Sequence, residues 1–173
     1  RWSSRPRIGV GLFIFVLVLV VSDCGGDDDA KADPDERPTS TTTTTLSPEQ
    51  EVEQAYRDFV AMTQSVLLAP DPTHPEIAAL ATADARANLE RTLEAMQADG
   101  RSFRTGQRDK QTILSNSISG DTATLSVCDV EHSGVYDAAT ATEVEPMRVV
   151  TQLIDVTLRR EAGVWKVSFV QDY

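Results

Sequence analysis

The chain changes character at Gly100, with helical periodicity before it and strand alternation after it. Residues 47–98 carry apolar side chains at helical spacing in three segments separated by loops. Residues 110–170 alternate apolar and polar side chains in four segments, which are broken by turns such as Ser119-Gly120-Asp121 and Glu161-Ala162-Gly163. Helices first and antiparallel hairpins after predict an α+β domain whose N-terminal helices pack on one face of a curved antiparallel sheet.

The start of the first helix is marked by Ser47-Pro48-Glu49-Gln50. Ser47 is predicted as the N-cap, Pro48 takes the first helical position, and Gln50 completes a capping box. The stripe that follows includes Val52, Tyr56 and Phe59 at helical spacing, so these side chains are expected to face the core. The predicted domain therefore spans residues 47–173.

Residues 1–23 have the organisation of a secretory signal peptide. Arg1, Arg5 and Arg7 precede an unbroken apolar run from Ile8 to Val21. This run is shorter than the roughly 20 residues that a membrane-spanning helix needs. The order of a basic segment, a short apolar segment and a small-residue site is typical of a cleaved export signal.

The segment Val21-Ser22-Asp23-Cys24 resembles a bacterial lipobox, in which an aliphatic residue and small residues precede the cysteine that is lipidated. Val21 and Ser22 fit this pattern, whereas Asp23 departs from it, because Gly, Ala or Ser is usual there. The resemblance implies a mature chain that begins at lipidated Cys24 on the extracytoplasmic face of the cell membrane. An uncleaved N-terminal membrane anchor and plain secretion are the alternatives.

Residues 24–46 combine Gly-Gly, three successive aspartates, two prolines and the threonine run Thr41–Thr45. A segment with so few large apolar side chains cannot bury enough surface to offset its ordering entropy, so it is predicted to be a disordered tether.

The charge of the chain restricts its partners. The net charge is −11, and residues 46–173 alone hold 11 basic and 20 acidic side chains. Such a domain repels phosphate backbones, so no nucleic-acid partner is expected.

Cys128 is the one cysteine of the predicted domain. It lies in the alternating run Leu125–Val130, and free cysteine is among the most buried residue types, which favours packing in the core. An intermolecular disulfide and redox chemistry are the alternatives.

Three N-terminal helices, paired strands and the closing strand Gly163-Val164-Trp165-Lys166-Val167-Ser168 resemble the NTF2-like (SnoaL-like, cystatin-like) superfamily over residues 48–173. The resemblance implies a sheet that wraps the helices into a cone with a pocket at its open end, and homodimers that form through the sheet. With the lipobox and tether in front, the layout resembles a group of exported actinobacterial proteins.

Metal and cofactor chemistry finds little support in the sequence. The two histidines, His74 and His132, are far apart, and no His-x-x-x-His or Cys-x-x-Cys pair is present. We therefore expect no metal site and no cofactor.

The residues favour a non-catalytic domain that binds an apolar small molecule or a protein of the cell envelope. Tyr56, Phe59, Trp165 and Phe169 are the aromatic side chains best placed to line a pocket. The same four side chains equally well fill the cone and leave no cavity.

The alternative is an enzyme, for which the fold resemblance is the only support. Ketosteroid isomerases of this superfamily use an Asp base with a Tyr or a protonated Asp as oxyanion donor, and dehydratase-like chemistry would also need a pocket carboxylate. Tyr56, Asp129 and Tyr136 are candidates for these roles, but no family motif maps onto them. A shared fold does not establish a shared activity, so catalysis is the less favoured reading.

Overall fold

A computed structural model describes residues 46–105 and 110–173. Three helices come first in the chain, and five antiparallel strands follow. The elements are α1 (Pro48–Leu68), α2 (Pro75–Leu80), α3 (Ala83–Asp99), β1 (Arg101–Thr105), β2 (Lys110–Ser119), β3 (Thr122–Asp137), β4 (Glu143–Glu161) and β5 (Val164–Asp172).

The ends of α1 and α3 follow from local chemistry. Ser47 Oγ accepts a hydrogen bond from the Gln50 backbone N–H at 3.3 Å, and Gln50 Oε1 accepts one from the Ser47 N–H at 2.9 Å. The predicted capping box is thus confirmed. At the end of α3, Gly100 takes a left-handed conformation with φ of 64°, which a residue without Cβ adopts at little cost.

Strand β3 is the centre of the sheet. One of its sides pairs with β2 along residues 122–130 and with β1 along residues 133–137. Its other side pairs with β4 along its length, and β4 in turn pairs with β5. Two strands thus share one side of β3, and the helices pack on one face of the resulting sheet.

The main core lies between the helices and the concave face of this sheet. Three apolar residues of β3 and three of β4 alternate toward the helices, as the period of two predicts. Their partners from the helices are fully or almost fully buried as well. The core comprises Val52, Tyr56, Phe59, Met62, Val66, Ile77, Ala81, Ala85, Leu89, Leu93, Ala123, Leu125, Val127, Ile154, Val156, Leu158, Trp165 and Val167.

Strand β5 contacts all three helices. Ala81 and Val167 form a parallel bridge, and the Thr82 N–H donates to the Val167 carbonyl at 2.8 Å. Lys166 Nζ donates to the Ala78 carbonyl at 2.9 Å. The last strand therefore fastens the link between α2 and α3 to the sheet.

The sheet is more extensive than the sequence predicted. Strand β1 lies outside the four alternating segments of the sequence, and β3 and β4 extend beyond those segments, to Asp137 and back to Glu143. The three differences have one cause. Pairing with β1 gives the second half of β3 a neighbour, and that half in turn pairs with the start of β4.

Strand β5 departs from simple alternation. Strict alternation would place Trp165, Val167 and Phe169 on one face, but a bulge opposite Thr157 and Leu158 inserts Ser168 as an extra residue. Ser168 is buried and donates through Oγ to the Thr157 carbonyl at 3.0 Å. Phe169 consequently lies on the outer face of the sheet and is 41% exposed.

Cys128 is buried, with 6% of its surface exposed, but not among the helices. It alternates with Val127, which faces the core, and pairs with Thr112 and Leu153 across the neighbouring strands. Its side chain therefore lies on the outer face of the sheet. The expected burial is confirmed, and the expected location in the main core is wrong.

Candidate ligand pocket

A cavity of about 200 Å³ lies between α1 and the concave face of the sheet. Its helical wall is a stripe of six residues at spacings of three and four, which places them on one side of α1. The stripe is mostly apolar, with two polar side chains toward its C-terminal end. It consists of Tyr56, Phe59, Val60, Thr63, Gln64 and Leu67.

The sheet wall contains a polar row that crosses three strands. Gln111 on β2 pairs with Asp129 on β3, and Asp129 pairs with Gln152 on β4. Paired residues of neighbouring strands point to the same face, so the three side chains lie side by side in the cavity wall. Thr105 and Glu131 add further polar groups to the cavity wall, whereas Ile154 and Val170 contribute apolar side chains to it.

Asp129 is the buried charge of this row, with 7% of its surface exposed. It continues the alternation of Ala123, Leu125 and Val127, which all face the core. Asp129 therefore faces the cavity and does not point to solvent past the sheet edge. A carboxylate held in an apolar wall carries a large desolvation cost unless hydrogen-bonding groups surround it, which Gln111 and Gln152 can supply.

The surroundings of Tyr56 change the pKa of its phenol. Burial, and secondly the negative charge of Asp129, raise the pKa of the Tyr56 phenol to about 12. The phenol therefore stays neutral and able to donate a hydrogen bond at any physiological pH.

Thr63 presents an unused polar group in the same cavity. Its Oγ1 is buried and has no hydrogen-bond partner within residues 46–105 and 110–173. Buried hydroxyls are normally paired, so this atom is available to a ligand or to water in the cavity.

The structure brings two of the four predicted aromatic residues together. Tyr56 and Phe59 both line the cavity. Trp165 is buried elsewhere, lining a surface groove beside Leu46, with the Arg160 guanidinium 5.5 Å from its ring. Phe169 lies on the opposite face of the sheet because of the bulge in β5.

Tyr136, the third candidate for a catalytic role, lies apart from the cavity. Tyr136 is stacked beneath the Arg104 guanidinium at 4.6 Å and does not line the cavity. Cys24, the predicted lipidation site, lies outside the described residues.

The polar row Gln111, Asp129 and Gln152 was not predicted from the sequence. One signal was visible, since Asp129 and Glu131 continue the phase of the buried residues 123, 125 and 127. A carboxylate in phase with a buried apolar face indicates a pocket or a buried pair. Gln111 and Gln152 gave no such signal, because only the strand register brings them beside Asp129.

The described part of the chain contains neither a cluster of possible metal ligands nor a helix that could span a membrane. Among residues 46–105 and 110–173, no three His, Cys, Asp or Glu side chains are grouped so as to hold a metal ion. Within the same ranges, no helix combines the length and apolarity needed to cross a membrane.

Comparisons with known proteins define the fold. No family model matches the chain, and no curated protein matches its sequence. The intermembrane space region of the chloroplast protein ARC6 superposes with a TM-score of 0.57 at 15% identity, covering 72% of this chain and 98% of that one.

Two bacterial proteins of known structure are also similar to this chain. A protein of unknown function with a cystatin-like fold from Nostoc punctiforme is 14% identical with a TM-score of 0.43, over 75% of this chain and 93% of its own. An NTF2-like protein with a cystatin-like fold from Novosphingobium aromaticivorans is 21% identical with a TM-score of 0.41, over 70% and 80%. The described domain is an α+β fold whose N-terminal helices pack on an antiparallel sheet, which confirms the predicted fold class. At these identities the similarity concerns the fold alone.

Proposed function

We propose that this chain is an extracytoplasmic, membrane-tethered lipoprotein whose NTF2-like domain binds a small molecule without converting it. The observation that carries the binding role is the cavity between α1 and the sheet, whose apolar walls enclose the polar row Gln111, Asp129 and Gln152. An apolar pocket with a few convergent polar groups is the usual form of a small-molecule site.

The size and lining of the cavity restrict the ligand. About 200 Å³ is below the range of roughly 300–1,000 Å³ typical of sites for drug-sized ligands. The ligand is therefore a compact molecule with an apolar part for Phe59 and Val60 and hydrogen-bonding groups for the polar row.

Filling the cavity tests this role. Val60→Trp places an indole in the space between α1 and the sheet, and we expect it to abolish binding of small fragments while the domain stays folded. Val164→Trp, at the exposed turn of the β4–β5 hairpin, is the matched control and should bind fragments like the wild type. The measurement is the change in chemical shift of the Gln111 and Gln152 side-chain amides during a fragment screen. Shifts in both variants, or in neither the wild type nor the control, would contradict a binding pocket.

A second candidate function is acid–base catalysis by Asp129 and Tyr56. One observation favours it: the Tyr56 phenol, whose pKa is raised to about 12, lines the same cavity as the Asp129 carboxylate. A buried neutral phenol stabilises a developing oxyanion, and a neighbouring carboxylate accepts a proton from carbon.

Exchange of the α-hydrogens of a small ketone such as cyclohexanone with deuterated water tests this candidate. Catalysis predicts exchange above the buffer rate that is lost in both Asp129→Asn and Tyr56→Phe. Exchange at the buffer rate, or exchange that survives Asp129→Asn, would eliminate the candidate and leave the binding role.

The tether is proposed on the sequence of residues 1–46, with Cys24 as the lipidated residue. The intact mass and detergent partitioning of the protein from its host, beside a Cys24→Ala variant, test this. A mass that fits a chain beginning at acylated Cys24, with the variant lost from the detergent phase, would support lipidation. A mass that retains the apolar run Ile8–Val21 would mean an uncleaved N-terminal anchor instead.

A further inference from the structure

The charged side chains that line the cavity between α1 and the sheet are both carboxylates. Asp129 and Glu131 are two positions apart on β3, so they project from the same face of the strand about 7 Å apart. Within residues 46–105 and 110–173, no Lys, Arg or His side chain lines this cavity. The described lining therefore carries two negative charges and no positive charge.

The two carboxylates lie at different depths. Asp129 is only 7% exposed, whereas Glu131 is partly buried. The neighbour of Glu131 on β4 is Val150, which is 43% exposed. Glu131 therefore lies closer to the opening of the cavity than Asp129, and a charged group that enters passes Glu131 before it reaches Asp129.

The charge of Asp129 acts across the cavity. Burial is the main cause of the raised pKa of the Tyr56 phenol on α1, and the negative charge of Asp129 on β3 is the second cause. The potential that disfavours a second negative charge on Tyr56 favours a positive charge in the same place. The space between Tyr56 and Asp129 is thus suited to a cation.

Aromatic and aliphatic side chains form the wall opposite the carboxylates. Tyr56, Phe59 and Val60 line the cavity from α1. The electron-rich face of an aromatic ring attracts organic cations, and apolar side chains bind the alkyl groups that such cations carry. A cavity with carboxylates on one wall and aromatic rings on the other therefore selects a cation that has an apolar part.

Ligands of other charge fit this lining less well. An anion would approach two like charges, and a neutral molecule would gain no attraction from them. A metal ion needs several ligands, and in the part of the chain that the structure describes no three His, Cys, Asp or Glu side chains are grouped to hold one. An organic cation is held by a carboxylate and an aromatic wall without such a cluster.

We propose that the ligand of this cavity is a compact alkylammonium ion, with its charged head at Asp129 and its alkyl part against Phe59 and Val60. This inference rests on the binding role proposed above and adds the chemical class of the ligand. The N–H groups of the head donate to the Asp129 carboxylate and to the amide oxygens of Gln111 and Gln152, which lie on either side of Asp129.

Three probes that differ only in their polar group test the charge of the ligand. Cyclohexylammonium, cyclohexanol and cyclohexanecarboxylate share one ring and are cationic, neutral and anionic at neutral pH. Each is titrated into the full-length protein, and the chemical shifts of the Gln111 and Gln152 side-chain amides report binding in the cavity. We expect cyclohexylammonium to bind at least about tenfold more tightly than cyclohexanol, and cyclohexanecarboxylate to bind more weakly than both.

The outcomes separate this inference from the binding role. If cyclohexanol or cyclohexanecarboxylate binds as tightly as cyclohexylammonium, the inference is overturned and the binding role stands. The same holds if other fragments shift the two amides and cyclohexylammonium does not. If no fragment shifts them, both the inference and the binding role are wrong.

Single substitutions test the two carboxylates. Asp129→Asn should weaken the binding of cyclohexylammonium about tenfold and leave that of cyclohexanol within about twofold of the wild type, because only the charge of the side chain is removed. Glu131→Gln, at a less buried position, should weaken the binding of cyclohexylammonium about threefold. Glu94→Gln makes the same charge change at an exposed position of α3 outside the cavity lining, and this control should bind both probes like the wild type.

Glu131→Gln keeps the test decisive if Asp129→Asn does not fold, because Glu131 is only partly buried. Wild-type affinity of Glu131→Gln for cyclohexylammonium would contradict the inference. Equal losses of affinity for cyclohexylammonium and cyclohexanol in either variant would contradict it as well, since they would show a change in shape instead of a lost charge.

Discussion

Tyr56 on α1 and Asp129 on β3 line the same cavity from opposite walls, and the charge of Asp129 adds to burial in raising the pKa of the Tyr56 phenol to about 12. Both side chains lie where the polar row crosses the concave face of the sheet. The pKa of Tyr56 therefore reports on burial and charge in the cavity.

Replacement of Asp129 should therefore lower the pKa of Tyr56. In Asp129→Asn the carboxylate charge is gone but burial remains, so we expect a value between 10 and about 12. The phenolate absorbance can be titrated in a Tyr136→Phe/Tyr173→Phe background, which leaves Tyr56 as the one tyrosine of the chain. An unchanged midpoint would show that Asp129 does not act on Tyr56.

The same shift predicts a loss of stability in alkali. The pKa of Tyr56 is raised on folding, so its contribution is complete below the unfolded value of 10 and is lost as the pH rises toward about 12. The free energy of unfolding should fall by about 1 kcal/mol more in the wild type than in Tyr56→Phe between pH ~9 and pH ~11. Urea denaturation at the two pH values measures the difference. An equal fall in the free energy of unfolding for the two proteins would refute the prediction.

The turn after β3 should respond to acid. The Asp137 carboxylate accepts hydrogen bonds from the Thr140 hydroxyl and N–H, both at 2.8 Å, and these hold the pKa of Asp137 below its ordinary value of 3.8. Its contribution to stability is present above that value and is lost as the pH falls through the lowered pKa. Thr140→Val removes the hydroxyl donor and should raise the pKa of Asp137 in an NMR titration. Asp71, whose pKa is lowered by hydrogen bonds from Thr73 instead, is the control, and Thr140→Val should leave its pKa unchanged in the same spectra.

The capping box should contribute measurably to the stability of α1. Ser47→Ala removes the acceptor for the Gln50 N–H, and we expect a loss of about 1 kcal/mol in urea denaturation. Ser65→Ala, the same substitution at an exposed position within α1, should be neutral or slightly stabilising, because alanine is the better helix former. Equal effects at both positions would exclude capping as the cause.

Truncation of the core should be far more costly than truncation of the outer surface. Leu125 is fully buried on β3, and Leu125→Ala should lower the free energy of unfolding by about 2–5 kcal/mol. Leu114 is 56% exposed at the bulge of β2, so Leu114→Ala should cost well under about 1 kcal/mol. Similar losses for the two variants would contradict the assignment of Leu125 to the core and of Leu114 to the exposed surface.

Local sequence signals were sufficient for much of the fold. Ser47 and Gly100 mark the start of α1 and the end of α3 because capping chemistry depends on a few adjacent residues. The Ala162-Gly163 turn closes the last hairpin with two residues at positive φ, of 50° and 84°. Such features need no knowledge of distant partners, so a single sequence predicts them.

Features that depend on pairing were not predictable in this way. Strand β1 has two arginines and little alternation, and it is a strand because residues 133–137 of β3 pair with it. Phe169 was assigned to the wrong face because the bulge is set by the register of β5 against β4. The cavity required both α1 and the register that aligns Gln111, Asp129 and Gln152.

The attachment of all three helices to β5 also has a consequence for biosynthesis. The helices are made first, but the Val167 carbonyl that holds the Thr82 N–H, and the strand that completes their packing surface, are made last. Part of the native packing surface of all three helices is therefore missing until β5 has been made. Complete packing of the helices thus depends on an element that lies far from them in the sequence, which is the kind of non-local contact that slows folding.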